Sequence, residues 1–241
     1  METDKPKLFR IAVVYAIVVW MVISYLNYVL PYDPDTPTKF DLEHLLFWSL
    51  LYLPVIVLPA FANWKLRDFG LGINGATILA ALLVVGMCGS MVLSVERNLA
   101  HAATEAFARS GEEIFFRGFV YLLLEKVFSN RKHPWLWALF GSSIVFVAAH
   151  TSAFQESYLS QREQPALYVA LERILNVFLL AVGFGTIRAV TGSVIPTALA
   201  HCLVNGGILT LPFVLATFAI GILVGRLRGE NMIGNLFRFS Q

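Results

Sequence analysis

Charge is what this sequence has least of. Asp, Glu, Lys and Arg together make up 14% of the chain against 57% hydrophobic residues, and the mean hydropathy is +0.69. A water-soluble domain carries about 25% charged residues, so this chain has too little polar surface to cover a soluble body. It reads as an integral membrane protein. The 18 basic residues barely outnumber the 16 acidic ones, which excludes the basic face that a nucleic-acid partner requires. Cysteine is as scarce: only Cys88 and Cys202 occur, each inside an apolar run, so a disulfide framework is excluded and packing thiols are expected. Biased tracts and internal repeats are lacking too. No small-residue cleavage site follows the charged stretch Met1 to Arg10, and the apolar run behind it is expected to be a retained span rather than a signal peptide.

What is present is a series of apolar runs of spanning length, about 17–25 residues each. Phe9 to Leu30, Leu45 to Ala62, Ala76 to Leu93, Gly111 to Phe128, Pro134 to Phe154 and Leu167 to Ala189 are the first six. Pro54 and Pro59 in the second are tolerated as a kink, because neighbours in lipid re-satisfy the freed carbonyls. Between the third and fourth, Ser94 to Arg109 alternates apolar positions with Glu96, Arg97, Glu105 and Arg109 at helical spacing, a pattern expected of an interfacial helix. No charged residue occurs from Ala189 to Gly225, which accommodates two short spans with a hairpin at Gly206-Gly207. The expected architecture is all-α and polytopic, with about eight transmembrane helices in one domain over 1–241.

Ionisable groups inside a bilayer cost about 2.5–3.5 kcal/mol each on insertion scales and call for a pairing or functional explanation. Glu112, Glu113, Arg117, His150 and His201 are such groups, and Asn205 stands one turn beyond His201. Glu113 and Arg117 have the i,i+4 spacing of an ion pair, and structural support is the plain reading of that pair. Glu112 lies about 100° further round the helix without a cation of its own at good spacing, which makes it the candidate general base. His150 alone reads as a hydrogen-bonded core residue. His201 and Asn205 share a helix face and fit either an oxyanion site or interhelical bonding. Alternation of helix direction strengthens the set. Glu112 starts the fourth span, His150 ends the fifth and His201 with Asn205 ends the seventh, so all lie on one side of the membrane. A constructed site is the better reading.

These residues carry a resemblance. Glu112-Glu113-Ile114-Phe115-Phe116-Arg117-Gly118 is similar to the E-E-x-x-x-R-G motif of the CPBP family (type II CAAX protease and bacteriocin-processing, or Abi) of intramembrane proteases. Phe146 to His150 resembles its F-x-x-x-H motif. His201 to Asn205 resembles its H-x-x-x-N motif, after a similar run-up of Thr191-Gly192-Ser193 and Pro196. The resemblance covers about residues 111–206. It departs at Thr151-Ser152-Ala153-Phe154, where the eukaryotic branch has further histidines; this favours a prokaryotic, plasma-membrane relative over one acting on prenylated CAAX substrates.

The resemblance implies hydrolysis of a peptide bond in a membrane-associated or secreted peptide. Glu112 and His150 would deprotonate a water, His201 and Asn205 would stabilise the oxyanion, and Glu113 with Arg117 would fix the fourth helix. No cofactor is expected. The metal-dependent alternative takes Glu112, His150 and His201 as zinc ligands, but neither histidine shows an obvious supporting carboxylate in the sequence. A proton-coupled transporter or channel, or a non-catalytic scaffold of the same fold, are the competing readings. Twelve Lys and Arg, among them Arg188 closing the sixth run, fall on the side away from the site, against Lys39, Arg97, Arg109 and Arg162 on the site side. Positive charge marks the cytoplasmic side, so both termini are expected there and the site is expected to open on the opposite face.

Overall fold

The computed structural model describes residues 10, 13–15, 17–19, 21–22, 48–62, 64–92, 99–150, 166–204 and 211–227. Every regular element among the described residues is helical. A short 3-10 turn, Leu50–Tyr52, leads into α1 (Leu53–Ala62). Then follow α2 (Gly75–Val92), α3 (Leu99–Glu113), a π-helical stretch (Ile114–Val120), α4 (Tyr121–Val127), α5 (Pro134–Ala149), α6 (Ala166–Thr191), α7 (Ile195–Val204) and α8 (Leu211–Leu227).

Local chemistry sets several of these boundaries. Asn74 caps α2: its Oδ1 accepts from the Thr77 backbone N–H at 2.9 Å, while Thr77 Oγ1 accepts from the Asn74 N–H at 3.3 Å, a reciprocal cap. Pro134 opens α5 at a position where the missing N–H costs nothing. Gly192 ends α6 with φ +69°, and its N–H returns to Arg188 O at 2.9 Å.

One expected boundary is absent. Leu99 to Val127 is a continuous helix, α-helical, then π-helical, then α-helical again, whereas the sequence reading split it into an interfacial helix ending at Arg109 and a span starting at Gly111. The reason is packing. The α3 backbone around Gly111 lies against the 3-10 turn, so closely that a Cβ on Gly111 would stand 2.8 Å from Tyr52 Cε2. Tyr52 Oη donates to Phe107 O at 2.7 Å. The polar residues of α3 therefore continue inward toward the site, and residues 94–98 lie outside the described set. Likewise α5 stops at Ala149, with His150 as its C-cap, short of the expected Phe154.

Among the described residues one helical stretch, Ala170–Thr191, is long and apolar enough to cross a membrane; Leu50–Pro59, Gly75–Gly86, Pro134–Ala149 and Leu215–Val224 are shorter apolar helices. Of the first expected span only scattered residues are described, and Gly206-Gly207 lies outside them. Large apolar side chains face outward, and several polar and charged ones lie buried within an otherwise apolar core. Ile78, Leu82, Val85, Phe140, Ile144 and Leu175 face outward, while Glu113, Arg117, Ser142, Ser143 and Thr197 are fully buried. Helix α6 packs on α8 through small residues: a Cβ on Gly183 would collide with Thr217, and one on Gly221 would meet Thr186 Cγ2 at 2.6 Å. Close backbone approach of this kind is how helices associate where lipid removes the hydrophobic drive. An aromatic cluster of Phe69, Phe115, Phe116, Phe119 and Phe146 fills the space beside the motif helix.

Candidate active site

Three elements deliver the site. Glu112 and Glu113 end α3 just before the π-helical stretch, His150 caps α5, and His201 lies in the last turn of α7. Glu112 Oε2 stands 4.0 Å from His150 Nε2 and 3.7 Å from His201 Nε2. Residues far apart in sequence thus converge on one carboxylate oxygen, as helix alternation led one to expect. Glu112 is 3% exposed, and its Oε2 accepts no hydrogen bond among the described residues. Glu113 Oε2 is likewise buried without a hydrogen-bond partner among the described residues.

Both imidazoles are oriented through their other nitrogen. His150 Nδ1 lies 2.8 Å from Phe146 O; a carbonyl can only accept, so Nδ1 carries the proton, and in a neutral ring Nε2 is then an acceptor. His201 Nδ1 lies 2.9 Å from Glu113 Oε1, again placing a proton on Nδ1. The supporting carboxylate that the sequence reading did not find is therefore Glu113. The same oxygen pairs with Arg117 Nη1 at 3.3 Å, and both side chains are completely buried. Arg117 also donates to Ala181 O at 3.3 Å and lies 4.1 Å over the Phe146 ring. The Glu113–Arg117 pair expected from spacing is present, and it also orients a histidine.

A second correction concerns Glu112. Its Oε1 pairs with Arg109 Nη1 at 2.9 Å, so it does have a cation. The i,i+3 relation places the two on one face, but a helix boundary assumed at Arg109 hid it. Cys202, next to His201, lies 3.8 Å from Ser110 Oγ and 3.6 Å from Ala106 O, within the α3–α7 contact. Asn205 lies outside the described residues, one position past the end of α7.

Sequence reasoning missed Arg188. Taken as the charge closing a span, it is instead buried, donating from Nε to Arg117 O at 3.1 Å and from Nη2 to Asp68 O at 3.2 Å.

Glu, His and His are donors that zinc accepts, yet tetrahedral bonds of about 2.0–2.2 Å would bring the ligand atoms to roughly 3.3–3.5 Å of one another. The observed 3.7 and 4.0 Å are wider, and among the described residues no group of three His, Cys, Asp or Glu side chains is arranged to hold a metal ion.

A helical body, apolar outside and ionised inside, with two histidines turned on one buried carboxylate, defines a class: a membrane protein with a built polar site. The chain belongs to the family described as type II CAAX prenyl endopeptidase Rce1-like, whose model matches residues 76–207. No curated protein and no solved structure matches it. Membership makes it a membrane-integral protease of the CAAX type in general, with a peptide as its substrate.

Proposed function

We propose that the chain is a polytopic intramembrane endopeptidase that hydrolyses a peptide bond in a membrane-associated peptide through a glutamate-activated water. The observation that carries this reading is the pair of acceptors, Glu112 Oε2 and His150 Nε2, set 4.0 Å apart. Two acceptors cannot bond each other. Their spacing is close to the roughly 4–4.5 Å between groups that each accept one proton of a shared water.

In this mechanism the water oxygen adds to the scissile carbonyl carbon while Glu112 takes its proton. The C–N bond then breaks, and Glu112 passes the proton to the leaving amine. Arg109 holds Oε1 and leaves Oε2 to act. His201, held through Nδ1 by Glu113, and Asn205 stabilise the oxyanion. Arg117 keeps Glu113 aimed at the ring. This mechanism has no step that passes through a metal.

The charge distribution supports an orientation with both termini in the cytoplasm and the site on the opposite face, which favours a secreted or membrane-anchored peptide over a cytosolic tail. The intact set of convergent residues favours a hydrolase over a scaffold of the same fold. A nanodisc leaves both faces open to substrate, so orientation does not limit an assay there. The test is turnover of an internally quenched peptide held in the nanodisc by a palmitoyl anchor. Wild type is expected to cleave it with one solvent oxygen in the new carboxylate, with no loss after dialysis against a zinc chelator, and Glu112→Gln is expected to be inert. Equal turnover by Glu112→Gln, or activity lost to the chelator and restored by stoichiometric zinc, contradicts the mechanism.

A further inference from the structure

Arg188 is almost fully buried in α6, with its guanidinium 5.4 Å over the Tyr121 ring and within the field of Glu125. Its guanidinium spans two carbonyls that no secondary-structure ladder joins: Arg117 O, inside the π-helical stretch, and Asp68 O, in the loop between α1 and α2. The chain makes room for it at a cost. Gly70 adopts φ +81°, and a Cβ there would stand 2.7 Å from Arg188 Nε. Gly118, one residue past Arg117, lies so close to the same loop that a Cβ would come 2.9 Å from Phe69 O. The loop in turn is tied to the turn before α7: Val194 N–H donates to Gly70 O at 2.9 Å, Ser193 Oγ donates to Gly70 O at 3.1 Å, and Asn74 Nδ2 donates to Thr191 O at 3.0 Å.

A π-helical stretch holds an additional residue in its turn. An α-helix advances about 100° per residue, so losing that extra residue would rotate α3 by a similar angle against α4 and turn Glu112 and Glu113 away from the histidines. We propose that Arg188 is a positioning residue for the hydrolytic site: by donating to the Arg117 and Asp68 carbonyls at once, it fixes the π-helical register that aims Glu112 and Glu113. Through the same loop it sets the start of α7, the helix that carries His201. Only a planar fork with divergent N–H groups satisfies both carbonyls; a lysine reaches one. The inference rests on the hydrolytic reading above.

The test uses the full chain in lipid nanodiscs with the same palmitoyl-anchored reporter peptide. Arg188→Lys is expected to keep the midpoint of thermal unfolding within a few degrees and KM within about twofold, while kcat falls about 10- to 100-fold, the scale of a displaced catalytic group. Amide hydrogen exchange across residues 114–121 is expected to quicken, with α8 unchanged. Gly70→Ala, which pushes on the guanidinium, is expected to reproduce the kcat loss, yet to add less than about twofold in an Arg188→Ala background. Wild-type kcat per folded molecule in Arg188→Lys, or a lowered unfolding midpoint with kcat unchanged, overturns the proposal. The exchange measurement needs no substrate, and unaltered exchange across 114–121 overturns it as well. Glu112→Gln run alongside separates the two ideas: if it is active the hydrolytic reading fails, whereas an inert Glu112→Gln beside a fully active Arg188→Lys removes only the role given to Arg188.

Discussion

Glu113 and Glu112 are adjacent carboxylates with separate surroundings. Glu113 Oε1 is shared between Arg117 and His201 Nδ1, whereas Glu112 offers one oxygen to Arg109 and turns the other toward two imidazole nitrogens. Two single-residue predictions follow from that division. Glu113→Gln keeps the volume but removes the carboxylate that orients His201 and pairs with Arg117, so kcat on a cleavable peptide is expected to fall about 100-fold or more while the protein still inserts. Arg117→Ala leaves a wholly buried carboxylate without its cation, and unfolding in detergent is expected to show a loss of about 3–5 kcal/mol, as for other broken buried pairs. These partners were only half legible in the sequence. The i,i+4 spacing showed Glu113 with Arg117 because one helix turn fixes it. The Glu113–His201 contact joins residues 88 apart, and no local pattern carries such a distance.

At the scale of elements, the helix from Leu99 to Val127 explains why some of the site was visible and some was not. Spans, motif order and alternation could be read because they depend on hydropathy and chain direction. The π-helical stretch could not, because Ile114–Val120 is compositionally an ordinary apolar segment and its wide turn is held by Arg188 and the Asp68 loop from outside. Arg188 itself was read as a span end, since a count of apolar residues stops at any charge. The close approach of this helix to the loop gives an element-scale prediction. Gly118→Ala would place a Cβ 2.9 Å from Phe69 O. A backbone oxygen tied into a loop cannot swing aside as a side-chain tip can, so a stability loss of about 1–3 kcal/mol is expected, measured as a lowered thermal midpoint. Gly86→Ala in α2, which meets nothing within 4 Å, is the matched control expected to leave the midpoint near wild type.

For the whole molecule, outward Ile, Leu and Phe around a buried set of Glu, Arg, His, Ser and Thr is the arrangement of a body that lives in lipid and keeps its polar work inside. Burial of Arg188 removes it from the loop charges, leaving eleven basic residues against four, and the proposed orientation rests on that bias. A C-terminal alkaline phosphatase fusion is accordingly expected to be inactive and a green fluorescent protein fusion bright. The central claim, that Glu112 activates water for peptide hydrolysis, is tested most directly without presuming a substrate. Quantitative mass spectrometry of membrane peptides would compare cells carrying wild type with cells carrying Glu112→Ala at equal expression. The account predicts at least one membrane-associated peptide whose cleaved form is present with wild type and missing with the variant; identical peptide profiles in the two strains would contradict it.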